Sequence, residues 1–97
     1  LRNNGCNLII VLSHIGYKMT NLPDDILLAR SSTDIDIILG GHTHTLLHQP
    51  TEVKNKNGRI VVINQVGSHG INMGRIDITI AEDNTLSMSS PGVRTIC

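Results

Sequence analysis

Two runs of branched aliphatic residues, "NLIIVLS" from Asn7 to Ser13 and "IDIILGG" from Ile35 to Gly41, each stop abruptly in front of a histidine. Short apolar runs without polar alternation, bounded by glycine, are the pattern of strands covered on both faces, as in parallel sheets. A parallel pair needs a crossover, and "TNLPDDILLARSS" supplies one. Thr20 or Asn21 is the candidate N-cap, with Pro23 in the first turn. Asp24 and Asp25 suit a helix N-terminus, and Ile26 to Ala29 form an apolar side. Strand, short helix and strand predict a right-handed βαβ unit. Its C-terminal strand ends, where ligands collect in open α/β sheets, would carry His14, His42 and His44 together.

The second half has a different period. "TEVKNKNGRIVVINQV" reads as a hairpin, with Asn57-Gly58 as a primed-turn signal and Ile60 to Val66 as the returning strand. In "GRIDITIAEDNTLSMSS", Ile76, Ile78 and Ile80 alternate with Asp77 and Thr79, followed by a turn at Asp83-Asn84 and a weaker strand near Leu86 to Met88. "GSHGINMG" between them is a glycine-punctuated loop. Tyr17 is the lone aromatic residue, so Ile, Leu and Val must form the core. Residues 1–97 are thus one α/β piece running from a βαβ unit into antiparallel strands. The opening "LRNNG" has the form of the last turn and C-terminal cap of a helix. Two explanations of that opening stand side by side: a piece of a longer protein, or a terminus frayed by processing.

Eight basic and eight acidic side chains cancel, so no global field selects nucleic acid or an anionic membrane as partner. The apolar runs are too short to cross a bilayer, and no charged-then-apolar signal segment opens the chain. Cys6 and Cys97 lack the close spacing of zinc or redox pairs and read as ordinary thiols.

The chemistry-bearing stretch is "DIILGGHTH", Asp36 to His44. In an extended backbone, residues i and i+2 project to one side, roughly 6 to 7 Å apart at Cα. That spacing suits one shared metal, or one imidazole for each of two metals. Gly40 and Gly41 let the backbone bend and an ion approach. A plain glycine turn with two solvated imidazoles is the competing reading, and His14 at the neighbouring strand end favours metal. An all-imidazole set suits zinc, manganese, iron or cobalt better than calcium or magnesium. It is not a closed structural zinc site, because the cysteines are poorly placed to complete it.

"VLSHIGY" from Val11 to Tyr17 and "IDIILGGHTHTLL" from Ile35 to Leu47 resemble the last two signature blocks of the calcineurin-like metallophosphoesterases, specifically the 5'-nucleotidase family. "INQVGSHGINMGRIDITI" is similar to the strand, loop and strand that follow there. The resemblance implies an α/β fold, the C-terminal part of a four-layer α/β/β/α sandwich, with a two-metal centre that hydrolyses nucleoside monophosphates or related phosphate esters. It matches His14 and His42 to ligands of one divalent metal and His44 to a ligand of the other. The family's upstream Asp-x-His, Gly-Asp and Gly-Asn-His blocks do not occur here. The N-terminal part of the same protein would have to supply those ligands, and the isolated chain would be inactive. No catalytic acid or base is assigned within these residues. A non-catalytic metal- or partner-binding module is the alternative. Family members are commonly exported, which implies a periplasmic or extracellular location.

The remaining polar residues have plainer readings. His48 is a solvated loop residue, and His69 in "GSHG" is an exposed loop residue with a substrate contact as its alternative role. Asp34 and Asp36, at the strand start, are solvated or capping. Asn64 and Gln65 satisfy backbone groups at a strand end, with orienting a ligand or binding substrate as the alternative role. Lys54, Lys56 and Arg59 form a charged edge around the hairpin turn.

Overall fold

The two apolar runs pair in parallel. Ile10, Val11 and Leu12 stand opposite Ile37, Ile38 and Leu39, and the last three stand opposite Val62, Ile63 and Asn64. The computed structural model describes residues 1–96. Its elements are β1 (Ile10–Leu12), α1 (Asp25–Ser31), β2 (Ile37–Leu39), β3 (Thr51–Lys54), β4 (Ile60–Asn64), β5 (Asn72–Ile80) and β6 (Leu86–Thr95), after a 3-10 turn at Arg2–Asn4. A four-stranded sheet has the order β1-β2-β4-β3, parallel except for β3, and β5 and β6 form a separate antiparallel pair. The fold is the expected mixed α/β one.

One face of the sheet carries the core. Ile38, Val61 and Ile63 are buried with Ala29 of α1, and Val11, Tyr17, Ile26, Leu28, Ile35 and Val53 pack around them. Tyr17 reaches β3 through its hydroxyl, 2.8 Å from Thr51 Oγ1. The opposite face is covered only in part. Ile76 and Met88 of the β5–β6 pair lie near Glu52 and Val62, over the β3–β4 side. A cavity of about 740 Å³ separates the Asp83–Leu86 turn from Arg2, Asp36 and Arg59, at the end of β2 remote from the histidines. Over β1, Leu12 is 81% exposed and Ile10 45%. Coverage on both faces, expected for the first run, therefore holds for Ile37 and Ile38 but fails for β1, because the β5–β6 pair lies over the β3–β4 side instead.

Local chemistry corrects several boundaries. The N-cap of α1 is Asp24, not Thr20 or Asn21, and its carboxylate accepts from the Leu27 amide and also from Met19 N, both at 2.8 Å. The second bond folds the preceding loop onto the cap. At the β3–β4 turn, Asn55 Oδ1 accepts from Asn57 N and Arg59 N, and Gly58 alone takes a left-handed φ of 76°. The result is a three-residue loop closed by a glycine bulge in place of the expected primed turn. Strand β6 extends to Thr95, well past Met88; the register shifts between Arg75 and Asp77, and Ser90 Oγ donates to Arg75 O. Pro91 is accommodated beside this bulge. Asp36 is not solvated: it is buried, accepts from Ile9 N at 2.8 Å, and meets Arg2 Nη2 at 3.0 Å. Asp34 remains exposed as expected, and Cys6 is a free, half-buried thiol, while Cys97 lies outside the described residues.

Two adjacent aspartates have their carboxyl pKa values displaced in opposite directions. The Met19 and Leu27 amides hold the Asp24 carboxyl below its ordinary range, whereas burial pushes Asp25 up, partly opposed by Ser13. A depressed carboxylate contributes stability above its unfolded pKa and loses it as pH falls through the folded value. Asp24→Ala is accordingly expected to cost about 1 kcal/mol at neutral pH, a typical N-cap loss. The deficit should shrink below the ordinary carboxylate range, and urea unfolding of both proteins at neutral and strongly acidic pH measures it. An equal deficit at both would show that packing, not the cap, carries the effect.

Candidate metal centre

In-register parallel pairing brings the ends of β1 and β2 together. Ser13 N donates to Leu39 O and Gly40 N to Asn64 O, both at 2.9 Å, so the segments carrying His14 and His42 leave the sheet side by side. The two imidazoles meet edge to face, with ring centroids 5.3 Å apart and planes at 68°. Gly41 makes room for this. A Cβ there would lie 3.0 Å from His14 Nδ1.

The backbone at the pair of histidines is not extended. His42 has φ 74°, and Thr43 N donates to Gly41 O at 3.0 Å. A bond from residue i+2 back to i around a positive φ is a γ-turn of the rare, strained hand. His44 also lies in the left-handed region, at φ 53°. The expected common face of His42 and His44 is thereby split. His42 turns toward His14, while the His44 ring lies 6.1 Å from that of His69, at 67°. His69, at φ 62°, is exposed, and its Nδ1 is 2.8 Å from Ser68 Oγ. Three of the four described non-glycine residues with positive φ are thus histidines at one end of the sheet. Strain persists where surrounding structure fixes it, and it concentrates at functional sites.

That fixing comes from the loop's own polar contacts. Tyr17 N donates to Thr43 Oγ1 at 3.1 Å, and the Thr43 and Thr45 hydroxyls are 2.8 Å apart. Thr45 N donates to Gln65 Oε1 at 2.6 Å, so Gln65 satisfies backbone as expected. Leu47 N then donates to Gln65 O, and Gly67 N to Thr45 O, each at 2.9 Å. Asp25 belongs to this region too, which its place among the acids at a helix N-terminus does not reveal. It is fully buried and accepts at 2.6 Å from the hydroxyl of Ser13, the residue before His14. A Ser immediately before the histidine, with an acid at the start of the crossover helix, is the signal in the sequence that points to it.

The chemistry of the donors suits borderline divalent cations: imidazole nitrogens, solvent-accessible, around glycines without side chains. Among the described residues, no three His, Cys, Asp or Glu side chains group closely enough to hold a metal by themselves. His48 is exposed on the following loop and joins neither histidine pair.

No protein-family model matches the chain. It is 40% identical over 76 residues to the "Trifunctional nucleotide phosphoesterase protein YfkN" of Bacillus subtilis, covering 78% of this chain and 5% of that protein. To the "Apyrase" of Aedes aegypti it is 30% identical over 100 residues, covering 86% and 17%. Among solved structures, the 5'-nucleotidase precursor from Thermus thermophilus superposes with a TM-score of 0.79 at 26% identity, over 98% of this chain and 20% of that one. The chain therefore spans a fifth or less of the length of each of these three proteins.

Proposed function

Because the chain belongs to the 5'-nucleotidase family of the calcineurin-like metallophosphoesterases, we propose that it forms part of the active site of a metal-dependent phosphoesterase acting on nucleotides or related phosphate esters. The observation that carries the reading is the facing of His14 and His42 across adjacent parallel strand ends, with strained backbone at His42 and His44. His14 and His42 would hold one divalent cation and His44 would contribute to a second. When bound, such cations supply positive charge to the phosphoryl oxygens and lower the pKa of water.

The chain's own residues do the positioning. Gly41 leaves space for the His14 ring, the γ-turn aims His42 toward it, and the Thr43–Thr45–Gln65 bonds fix the approach of His44. His69, beside His44 and tethered by Ser68, is placed for a contact on the substrate side. The remaining donors would come from another part of the same protein. The uncovered apolar residues Ile10, Leu12 and Leu39 support this, since they offer that part a surface beside the site.

The test is phosphate release from a nucleoside monophosphate, with zinc or manganese added to this chain alone and to a longer protein containing it. Turnover is expected from the longer protein and negligible turnover from the chain, whose metal shell is incomplete. Substantial metal-dependent turnover by the chain alone would mean that the site is built otherwise. Metal binding without turnover in the longer protein would favour a non-catalytic module, the reading to which the partial ligand set also lends support.

A further inference from the structure

Two buried polar side chains beside Gly40 each keep one polar atom that the contacts described so far do not use. Asp25 opens α1 and is fully buried; Gln65 follows β4 and is 3% exposed. Each has one atom engaged. Asp25 Oδ1 accepts from Ser13 Oγ at 2.6 Å, and Gln65 Oε1 accepts from Thr45 N at 2.6 Å and the Thr43 hydroxyl at 3.3 Å. The other two atoms, Asp25 Oδ2 and Gln65 Nε2, are buried without a hydrogen-bond partner among the described residues.

These two atoms are complementary and share a neighbour. The Thr45 amide must face the carbonyl oxygen of Gln65, so the atom left over is its NH2 donor. The carboxylate oxygen is an acceptor. Both border Gly40: a Cβ there would collide with Asp25 Oδ2 and lie 3.3 Å from Gln65 Nε2. Buried donors and acceptors strongly favour being paired, and a small side-chain adjustment joins these.

We infer that Asp25 and Gln65 pair across Gly40, Nε2–H donating to Oδ2, and act as positioning residues for the histidines on either side. The resulting chain of bonds runs from Ser13, which precedes His14, through Asp25 and Gln65 to Thr45, which follows His44. It couples the end of β1 to the strained loop after β2 through the interior, where solvent does not compete. The consequence for metal binding rests on the proposed function, whereas the pairing itself does not.

A reversal of polarity tests it. Asp25→Asn sets two NH2 groups face to face, and Gln65→Glu sets two carboxyl groups face to face. The double variant restores a donor opposite an acceptor and keeps an oxygen for both Ser13 and Thr45. The readouts are hydrogen exchange of the Thr45 amide and the affinity of the chain for zinc alone. Each single variant is expected to speed the exchange about tenfold and weaken zinc binding about tenfold. The double should return both to within about threefold of the parent.

Parent-like exchange in both single variants would overturn the pairing, as would a double variant that loses the product of the singles. If either single fails to fold, a folded double supports the pair and an unfolded double overturns it. If the parent chain, with its partial ligand set, binds no zinc, Thr45 exchange alone decides the pair.

Discussion

Gly40→Ala is expected to destabilise the chain by about 3 kcal/mol, at the upper end of the cost of overpacking a buried site. The backbone at Gly40 does not have a positive φ, so the effect is steric and not conformational. An added Cβ would meet the Asp25 carboxylate, which cannot swing away because it is fully buried and held by Ser13. Displacing it would break that bond inside the fold and push apart the strand ends that carry His14 and His42. Gly58 is the contrasting position. Nothing lies within 4 Å of a Cβ there, but its φ is 76°, so Gly58→Ala should cost only about 1 kcal/mol of backbone strain. Urea unfolding of the two variants and the parent gives the comparison. A Gly40→Ala protein no less stable than Gly58→Ala would mean that the carboxylate is free to move, and the packing account of this region would fail.

Periodicity made the parallel strands legible because Ile, Leu and Val at those positions need burial whatever the details of the turns. The same logic placed His14 and His42 together, since two parallel strands joined by one crossover must end on the same side. Covering of β1 was less legible, because an apolar run signals a demand for burial and not the element that meets it. The backbone after Gly41 could not be read at all from spacing. A γ-turn at His42 is held by Thr43, Tyr17 and Gln65, contacts between distant segments that exist only after folding. That turn also directs His44 toward His69, a partner 25 positions away. The Asp36–Arg2 pair was hidden for a similar reason: charged residues are usually exposed, and only the fold shows that half-buried Arg2 meets a buried Asp36.

In a longer protein that supplies the remaining donors, His42→Ala and His44→Ala are each expected to lower kcat/KM for a nucleoside monophosphate by about 10²- to 10³-fold, the scale of removing one preorganised electrostatic group. His48→Ala should be within about twofold of the parent, because its exposed ring joins neither histidine pair. The separation of the rings makes the metal stoichiometry informative. His14 and His42 face one another, so the His14/His42 double variant should lose one cation and hardly more activity than either single variant. His44 points to a different partner, so its loss should weaken a different cation. Activity should nonetheless fall as steeply, because groups that act as a unit are far from additive. The His42/His44 double variant should therefore retain much more activity than the product of the single losses. Metal content and phosphate release for the four single variants and both doubles decide the matter. If His48→Ala is as damaging as His44→Ala, or if the His42/His44 losses multiply, these histidines do not serve one cooperative centre.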